Sequence, residues 1–428
     1  MNLISVIRSK FLKNTSWLLF EQIFRMLLGL VVTSLVARYL GTYNYGQINY
    51  GLAYIAIFTI LSKLGLDSII VHEIIKNRNH TGKIIGTTIL LRLASAFISI
   101  IIICILLLFL EPDNLTIQIL TFIQSISLIF IAFDTVSYWF QSNLQSKYAV
   151  ISKSIAFFII SIFRLLLIYF NVSVVYFAFA TILEAFVIGI FLLWFYYKHK
   201  GDRLAFSFQI SKDLLKKSYH FLIAGLLVTV YTQMDKIMLG KMASASSVGI
   251  YAAGMTIATM WVFIPMALID SARPIVMGAK ESNQELYIRR YKQLYCAVIW
   301  IGIMASLFIT IFSKPIILLI FGEEYLESIS ILLILVWSRI FSLIGVTRSI
   351  WLLTEDHISY QKYFLGIGAV INFSLNLYLI PKYGAIGAAI ATLLAEVISS
   401  TIALVFFKKT RPLFKLIVEA VLFKRLKA

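Results

Sequence analysis

Charge is what this sequence has least of. Asp, Glu, Lys and Arg make up 14% of its 428 residues, against about a quarter in soluble globular chains, while 60% are hydrophobic. Water cannot hydrate a fold of that composition over its whole surface, so the bulk of the chain belongs in lipid. Cysteine occurs only at Cys104 and Cys296, both inside apolar runs, which excludes a disulfide framework or a cysteine metal site. Nucleotide and metalloprotease motifs are missing too. Both Gly-Lys pairs, Gly82-Lys83 and Gly240-Lys241, continue with Ile and Met where a phosphate loop needs Ser or Thr, and the five histidines form no HExxH. No cofactor, metal or enzymatic constellation is expected, and the apolar runs leave no room for a separate soluble domain. Acidic residues are the scarcer sign, 20 against 38 basic ones, for a net charge of +18. A nucleic-acid binder would gather those cations on one folded face; here they are parcelled out between hydrophobic runs, which speaks for topology and against nucleic acid.

What is present is a series of runs long enough to cross about 30 Å of hydrocarbon. They lie near residues 17–40, 47–66, 84–110, 115–140, 150–170 and 172–197, then 219–240, 248–269, 294–312, 329–347, 363–380 and 385–407. Arg8, Lys10 and Lys13 ahead of the first run imitate a signal peptide. Glu21 and Arg25 interrupt that run and no small-residue cleavage site follows, so a retained first span is expected. Of the 38 Lys and Arg, 28 fall in one alternating set of loops and termini, 4 in the other set and 6 within or beside spans. Positive residues are retained on the cytoplasmic side, so twelve spans with both termini cytoplasmic are expected. The segment Ser211 to His220 (SKDLLKKSYH) reads either as a basic amphipathic turn at the headgroups or as a solvated linker.

The two halves resemble each other. A shift of 203 residues superposes Gly46 on Gly249, Gly51 on Gly254 and Asp67 on Asp270. A shift of 212 superposes Glu111 on Glu323, Trp139 on Trp351 and Glu184 on Glu396. An even number of spans per half gives both halves one orientation. The expected fold is therefore an all-α integral membrane protein, with twelve transmembrane helices in two six-helix lobes, 1–205 and 206–428, related by a pseudo-two-fold axis along the membrane normal.

Ionisable side chains inside spans carry the functional signal, because each costs at least about 2.5 kcal/mol at the bilayer centre and needs a partner or a wet cavity. Arg25 follows Glu21 by one helical turn, which allows an ion pair within the helix as readily as a binding role. Arg92, Ser95 and Ser99 form one polar stripe, and Thr229, Thr232, Gln233 and Lys236 another, both expected to face a lumen. Arg164 and Arg339 lie too deep in their spans to snorkel. Arg348 and Asp270 sit near inner ends, as anchors. Asp235 and Lys236 are adjacent and so point about 100° apart, each needing its own partner. Glu184 and Glu396 lie mid-span in the last helix of each half. They are either proton-exchanging groups or buried carboxylates hydrogen-bonded to a neighbouring helix. The expected cationic lumen is thus Arg25, Arg92, Arg164, Lys236 and Arg339, with Glu184, Glu396 and Asp235 as coupling candidates.

Three runs carry a family likeness: Val36-Ala-Arg-Tyr-Leu-Gly41 followed by Tyr45-Gly46, Gln233-Met-Asp-Lys-Ile-Met-Leu-Gly240 followed by Val248-Gly-Ile-Tyr251, and Ile380-Pro-Lys-Tyr-Gly-Ala-Ile-Gly-Ala-Ala-Ile-Ala-Thr392. Over almost the whole chain the sequence resembles the Wzx-type polysaccharide flippases, within the superfamily that also holds multidrug and toxin extrusion pumps and lipid II flippases. The resemblance implies translocation of an undecaprenyl-pyrophosphate-linked oligosaccharide across the bacterial plasma membrane for surface polysaccharide such as O-antigen. A V-shaped pair of lobes with a cationic cavity is implied, and a polysaccharide polymerase and chain-length regulator as partners. Of the family's cavity residues only Asp235 and Lys236 match by motif. Arginine forks suit such a substrate, since they bind phosphate oxygens two at a time.

Two rivals remain. An ion-coupled multidrug exporter would favour acids deep in the cavity, where Glu21 lies only near an inner end. A membrane-embedded oligosaccharide polymerase would need large outer loops, and the longest, around Glu323-Glu324, has about fifteen residues. Topology is testable directly: reporter fusions at Asn114 and Glu324 are expected to read as outer, and at Lys200 and the C-terminus as inner. An outer C-terminus would mean an odd span count and end the two-lobe expectation.

Overall fold

The computed structural model describes residues 3–422, with side chains from Phe24 onward together with Trp17, and excepting Leu27 and Ser68. The Glu21 side chain, and those of Arg8, Lys10 and Lys13, lie outside the described residues. No strand occurs among them. Lipid offers nothing to a free N–H or C=O, and the helix satisfies both within one segment, so long Leu, Ile and Phe runs have this one solution. Packing divides the chain into two units, one ending at Thr229 and the other starting at Val230.

The first unit holds α1 (Leu3–Lys63), α2 (Asp67–Lys76), α3 (Thr81–Leu110), α4 (Leu115–Ser125), α5 (Ser127–Ile131), α6 (Thr135–Ser142), α7 (Lys147–Tyr169), α8 (Val174–Lys198) and the start of α9 (Phe208–Met242). The rest of α9 opens the second unit. There follow α10 (Ala245–Met260), α11 (Phe263–Ser282), α12 (Gln284–Ile311), α13 (Ser313–Ile320), α14 (Ser328–Thr354), α15 (Gln361–Val397), α16 (Ala403–Phe406) and α17 (Arg411–Val421).

The chain is a multi-pass membrane protein. Nine helices among the described residues are long and apolar enough to cross a membrane, and α10 with α11, bent by 43°, makes a tenth. Two of the nine, Phe24–Lys63 and Ile358–Phe406, run to 40 and 49 residues, about twice what one crossing needs. Each is broken by a glycine at positive φ, Gly41 (67°) and Gly384 (54°), where a side chain would strain the backbone. Pro381 weakens the helix just before the second break. These breaks fall where the sequence places outer connections, and they are made by single residues rather than by loops.

Polar caps mark other boundaries. The side chain of Asn114 accepts from the Ile117 N–H at the start of α4, and Ser244 from Ser247 at the start of α10. In the first unit α2 lies over a core in which Leu66, Ile70 and Ile74 meet Ile84 and Ile85 of α3, Phe140 of α6 and Tyr196 of α8. The segment Ser211 to His220 is helical and docked on that core: Leu214 enters it and Lys217 Nζ donates to Glu73 Oε1 at 2.6 Å. In the second unit α14 packs against α10, α12 and α15, and α17 closes over α12 with Leu413, Ile417 and Ala420 buried and Lys292 paired to Glu419.

Burial works against ionisation of Glu73, but the hydrogen bond and charge of Lys217, with His72 and Lys76 nearby, outweigh it and hold the carboxyl below its usual range. A depressed carboxylate contributes stability that is fully present above the unfolded pKa of about 4.3 and is lost as pH falls through the folded value. The gap in thermal unfolding temperature between wild type and Glu73→Gln is therefore expected to be full at neutral pH and to close below about pH 4. A gap of constant size down to about pH 3 would show that the ion pair does not stabilise the docked turn.

Candidate functional site

In the first unit α1, α7 and α8 pack against one another, and three charges meet where they do. Arg25 Nη2 of α1 donates to Glu184 Oε1 of α8 at 3.2 Å, while Arg164 Nη2 of α7 lies 4.0 Å from Glu184 Oε2. Two guanidinium groups thus share one carboxylate. All three are partly exposed, at 36, 24 and 21% for Arg25, Arg164 and Glu184. They are paired without being sealed in. Arg25 and Glu184 line a cavity of about 280 Å³ whose other charges are Lys63, Lys153 and Asp134. Asp134 is held from two sides, 3.4 Å from Lys153 and 3.9 Å from Lys63. The lining therefore holds three cations against two carboxylates, with Arg164 behind it. An anion entering would meet a predominantly cationic lining, in surroundings that screen charge less than water does.

Arg92 has another setting. It is fully buried, donates to Asp67 Oδ1 at 2.5 Å and to Thr135 Oγ1 at 3.0 Å, and stacks near the Tyr138 ring. Ser95, on the same stripe, donates to the Leu61 carbonyl, and Ser99 is buried. The stripe is turned into the unit, where it ties α3 to α1, α2 and α6, and Arg92 is not among the cavity-lining residues. Glu184, with its equivalent Glu396 in the other half, was a coupling candidate by position; the structure puts it at the hub of the arginine pair.

The second unit is built around Asp235, 3% exposed. Its Oδ2 accepts from Tyr251 at 2.6 Å and from Thr392 at 2.5 Å, and its Oδ1 from Asn376 Nδ2 at 2.7 Å. Asn376 also donates to Asn372, and the Asn376 Oδ1 is buried with no hydrogen-bond partner. Every donor to this carboxylate is neutral. Glu396, 9% exposed, is acted on by Arg339, Tyr231 and Arg348. Arg339 itself donates to the Ser338 hydroxyl at 3.0 Å. Lys236 is half-buried and makes no hydrogen bond or ion pair among the described residues, with Asp235 the charge that acts on it. Arg348 is buried, donates to the Ser399 carbonyl and lies 4.2 Å over the Phe364 ring. Ser399 belongs to a π-helical turn, Ile398–Ile402, whose wider spacing loosens the helix's own bonds and leaves a carbonyl for Arg348.

Sequence reasoning passed over Asp134, although it is an ionisable group inside an apolar run, and Lys63 and Lys153, which were counted as loop cations. It also passed over Asn372 and Asn376, whose spacing of four puts two amides on one face of a span.

The comparisons with known proteins agree on the kind of chain this is. A family model described as polysaccharide biosynthesis protein matches residues 11–274, and the MatE model matches residues 221–378. A protein of Haloferax volcanii described as probable flippase AglR is 27% identical over 177 residues, 40% of this chain and 37% of that relative, so little more than a third of its length is spanned. Among solved structures, the lipid II flippase MurJ in an inward closed conformation has a TM-score of 0.73 at 18% identity, covering 96% of this chain and 90% of that one. An inward-facing multidrug resistance transporter of the MATE family gives 0.71 at 15% identity, over 92% and 96%. These two likenesses are likenesses of fold.

Asp67→Asn would leave Arg92 buried with Thr135 and the Tyr138 ring but without the counter-charge it now contacts. The expected loss is about 2 kcal/mol, below the 3–5 of a fully enclosed pair because Asp67 keeps 39% of its side chain exposed. Thermal unfolding of the purified variant measures it, and an unchanged midpoint would mean that Arg92 is held without its carboxylate.

Proposed function

Because the chain belongs to the polysaccharide biosynthesis protein family, we propose that it is a flippase, a transporter and not an enzyme, for lipid-linked oligosaccharide. Its substrate is an undecaprenyl-pyrophosphate-linked repeat unit, carried across the bacterial plasma membrane by alternating access of two lobes, with both termini cytoplasmic. The observation that carries this reading is the sharing of Glu184 by Arg25 and Arg164. The cavity beside them is lined by Arg25, Lys63 and Lys153 against Glu184 and Asp134, and guanidinium forks bind phosphate oxygens two at a time, which suits a pyrophosphate. An incoming pyrophosphate competes with Glu184 for both arginines, which makes this one carboxylate the group that couples headgroup binding to the cycle. In the second unit Lys236 and Arg339 are the cations of a polar cluster of its own. Arg92 is a positioning residue that holds α3 to α2 and α6.

Asp235 is the second coupling element, with Glu396 beside it. A buried carboxylate with neutral donors alone is costly in a low-dielectric interior, so its charge is balanced by a proton or a small cation taken up during the cycle. The reading as an ion-coupled drug exporter draws support from the MatE match over residues 221–378.

Complementation separates these. The wild-type chain is expected to restore surface polysaccharide in a flippase-deficient strain and to give no drug resistance in an efflux-deficient one. Arg25→Ala with Arg164→Ala is expected to lower display by about tenfold or more, the value of one or two charge-assisted hydrogen bonds, while Lys at both positions keeps part of it. Asp235→Asn is expected to remove the dependence of transport on pH or sodium. Full display by a normally inserted double Ala variant would overturn the arginine assignment, and drug resistance without display would favour the exporter.

A further inference from the structure

Between α8 and α9 the chain does not hang free. Residues 202–207 run extended along the start of α3: Ala205 N–H donates to the Gly82 carbonyl at 3.3 Å, Ser207 N–H to Thr87 Oγ1 at 2.9 Å, and Tyr196 OH to the Asp202 carbonyl at 2.7 Å. The approach is so close that a Cβ on Gly86 would stand 2.5 Å from the Ala205 oxygen. This strap, with α3 and α8, walls a second cavity of about 320 Å³, separate from the one that Arg25 lines. Its lining includes Leu90, Phe133, Leu193, Tyr197, Leu204 and Phe206, and no charged residue is part of it.

The charges are all at one end. Lys83 lies on the same stripe of α3 as Gly86 and Leu90, one turn nearer the helix start. Lys200 follows the end of α8 that carries Leu193 and Tyr197, and Arg203 precedes Leu204 on the strap. All three are exposed, and none makes a hydrogen bond or ion pair among the described residues. Lys198 is also there, stacked 4.6 Å over Trp194, and Asp202 is the one carboxylate among them. Trp194, Tyr197, Phe206 and Phe208 are each more than half exposed around that end, and Trp and Tyr are the side chains enriched at a membrane's headgroup level. A groove with a dry apolar depth and a cationic aromatic mouth has the shape of a lipid.

The geometry points to a binding site for one anionic bilayer phospholipid, with an acyl chain in the groove between α3, α8 and the strap, and its phosphate on Lys83, Lys200 and Arg203. Charge complementarity selects this occupant over a zwitterionic lipid, whose own ammonium would face the same three cations. The substrate's lipid is a poorer fit, since the charges proposed for its pyrophosphate line the other cavity. A bound chain would fill the groove against Leu204 and Phe206 and fix the strap on α3. The site stands independently of the proposed transport activity.

Native mass spectrometry of the detergent-purified chain, titrated with phosphatidylglycerol and with phosphatidylcholine, tests it. Phosphatidylglycerol is expected to be retained in preference, and retention to fall by about fivefold for each of Lys83→Gln, Lys200→Gln and Arg203→Gln, the value of one cation near an anionic headgroup. Leu90→Trp, which fills the groove from an exposed position, is expected to weaken retention with the charges intact. Lys408→Gln with Lys409→Gln should leave it unchanged. Equal retention of the two lipids, an unaffected triple Gln variant, an equal loss in the Lys408 and Lys409 variant, or displacement of phosphatidylglycerol by a polyprenyl phosphate would each overturn the assignment.

Discussion

In hydrocarbon an ion without a counter-charge or hydrogen bonds is costly, and the pairing of most charged groups within the spans of this chain follows from that single constraint. With 14% charged residues, few opposite charges are on hand, and helices must meet where those few coincide. Arg92 meets Asp67, Arg25 and Arg164 meet Glu184, and Asp134 meets Lys63 and Lys153. These pairs join α1 to α8, α7 to α8 and α3 to α2. They act as registration marks between helices whose apolar faces would slide past one another with little change in energy, since lipid is as apolar as the side chains themselves.

The two units satisfy the constraint in different ways. The first uses opposite charge and has a surplus of cations, so its polar cluster is suited to an anion. The second surrounds Asp235 with Tyr251, Asn376 and Thr392, which stabilise charge by dipoles alone. Glu184 and Glu396, equivalent by sequence shift, differ accordingly: one sits between two arginines within 4.0 Å, the other beside Tyr231, Arg339 and Arg348 with no ion pair to either arginine among the described residues. Positions that the sequence shift superposes thus carry different chemistry in the two units. In the proposed reading the first handles the phosphate and the second the coupling ion.

Hydropathy and charge alternation make the helical, membrane-spanning class legible, and glycine with proline marks the breaks at Gly41 and at Pro381 to Gly384. Partners were far less legible. Spacing offered Glu21, whose side chain lies outside the described residues, as a neighbour of Arg25, and gave no sign of Glu184, 159 residues away, to which Arg25 also donates. The stripe Arg92, Ser95, Ser99 was rightly a single face by periodicity, but periodicity says nothing about what a face meets, and this one meets Asp67, Thr135 and the Leu61 carbonyl. Asp134 was visible as a charge within a span and went unremarked.

The sequence by itself determined that this chain enters lipid as helices, and which side chains would be intolerable there alone. Composition and local spacing act along one segment, and the bilayer imposes the same demand on each segment separately. Only the tertiary structure decided how each demand is met. The rotation of a helix about its own axis is set by the neighbours it packs against, and those neighbours come from distant parts of the chain, so the carboxylate for an arginine cannot be read from the arginine's own surroundings in sequence.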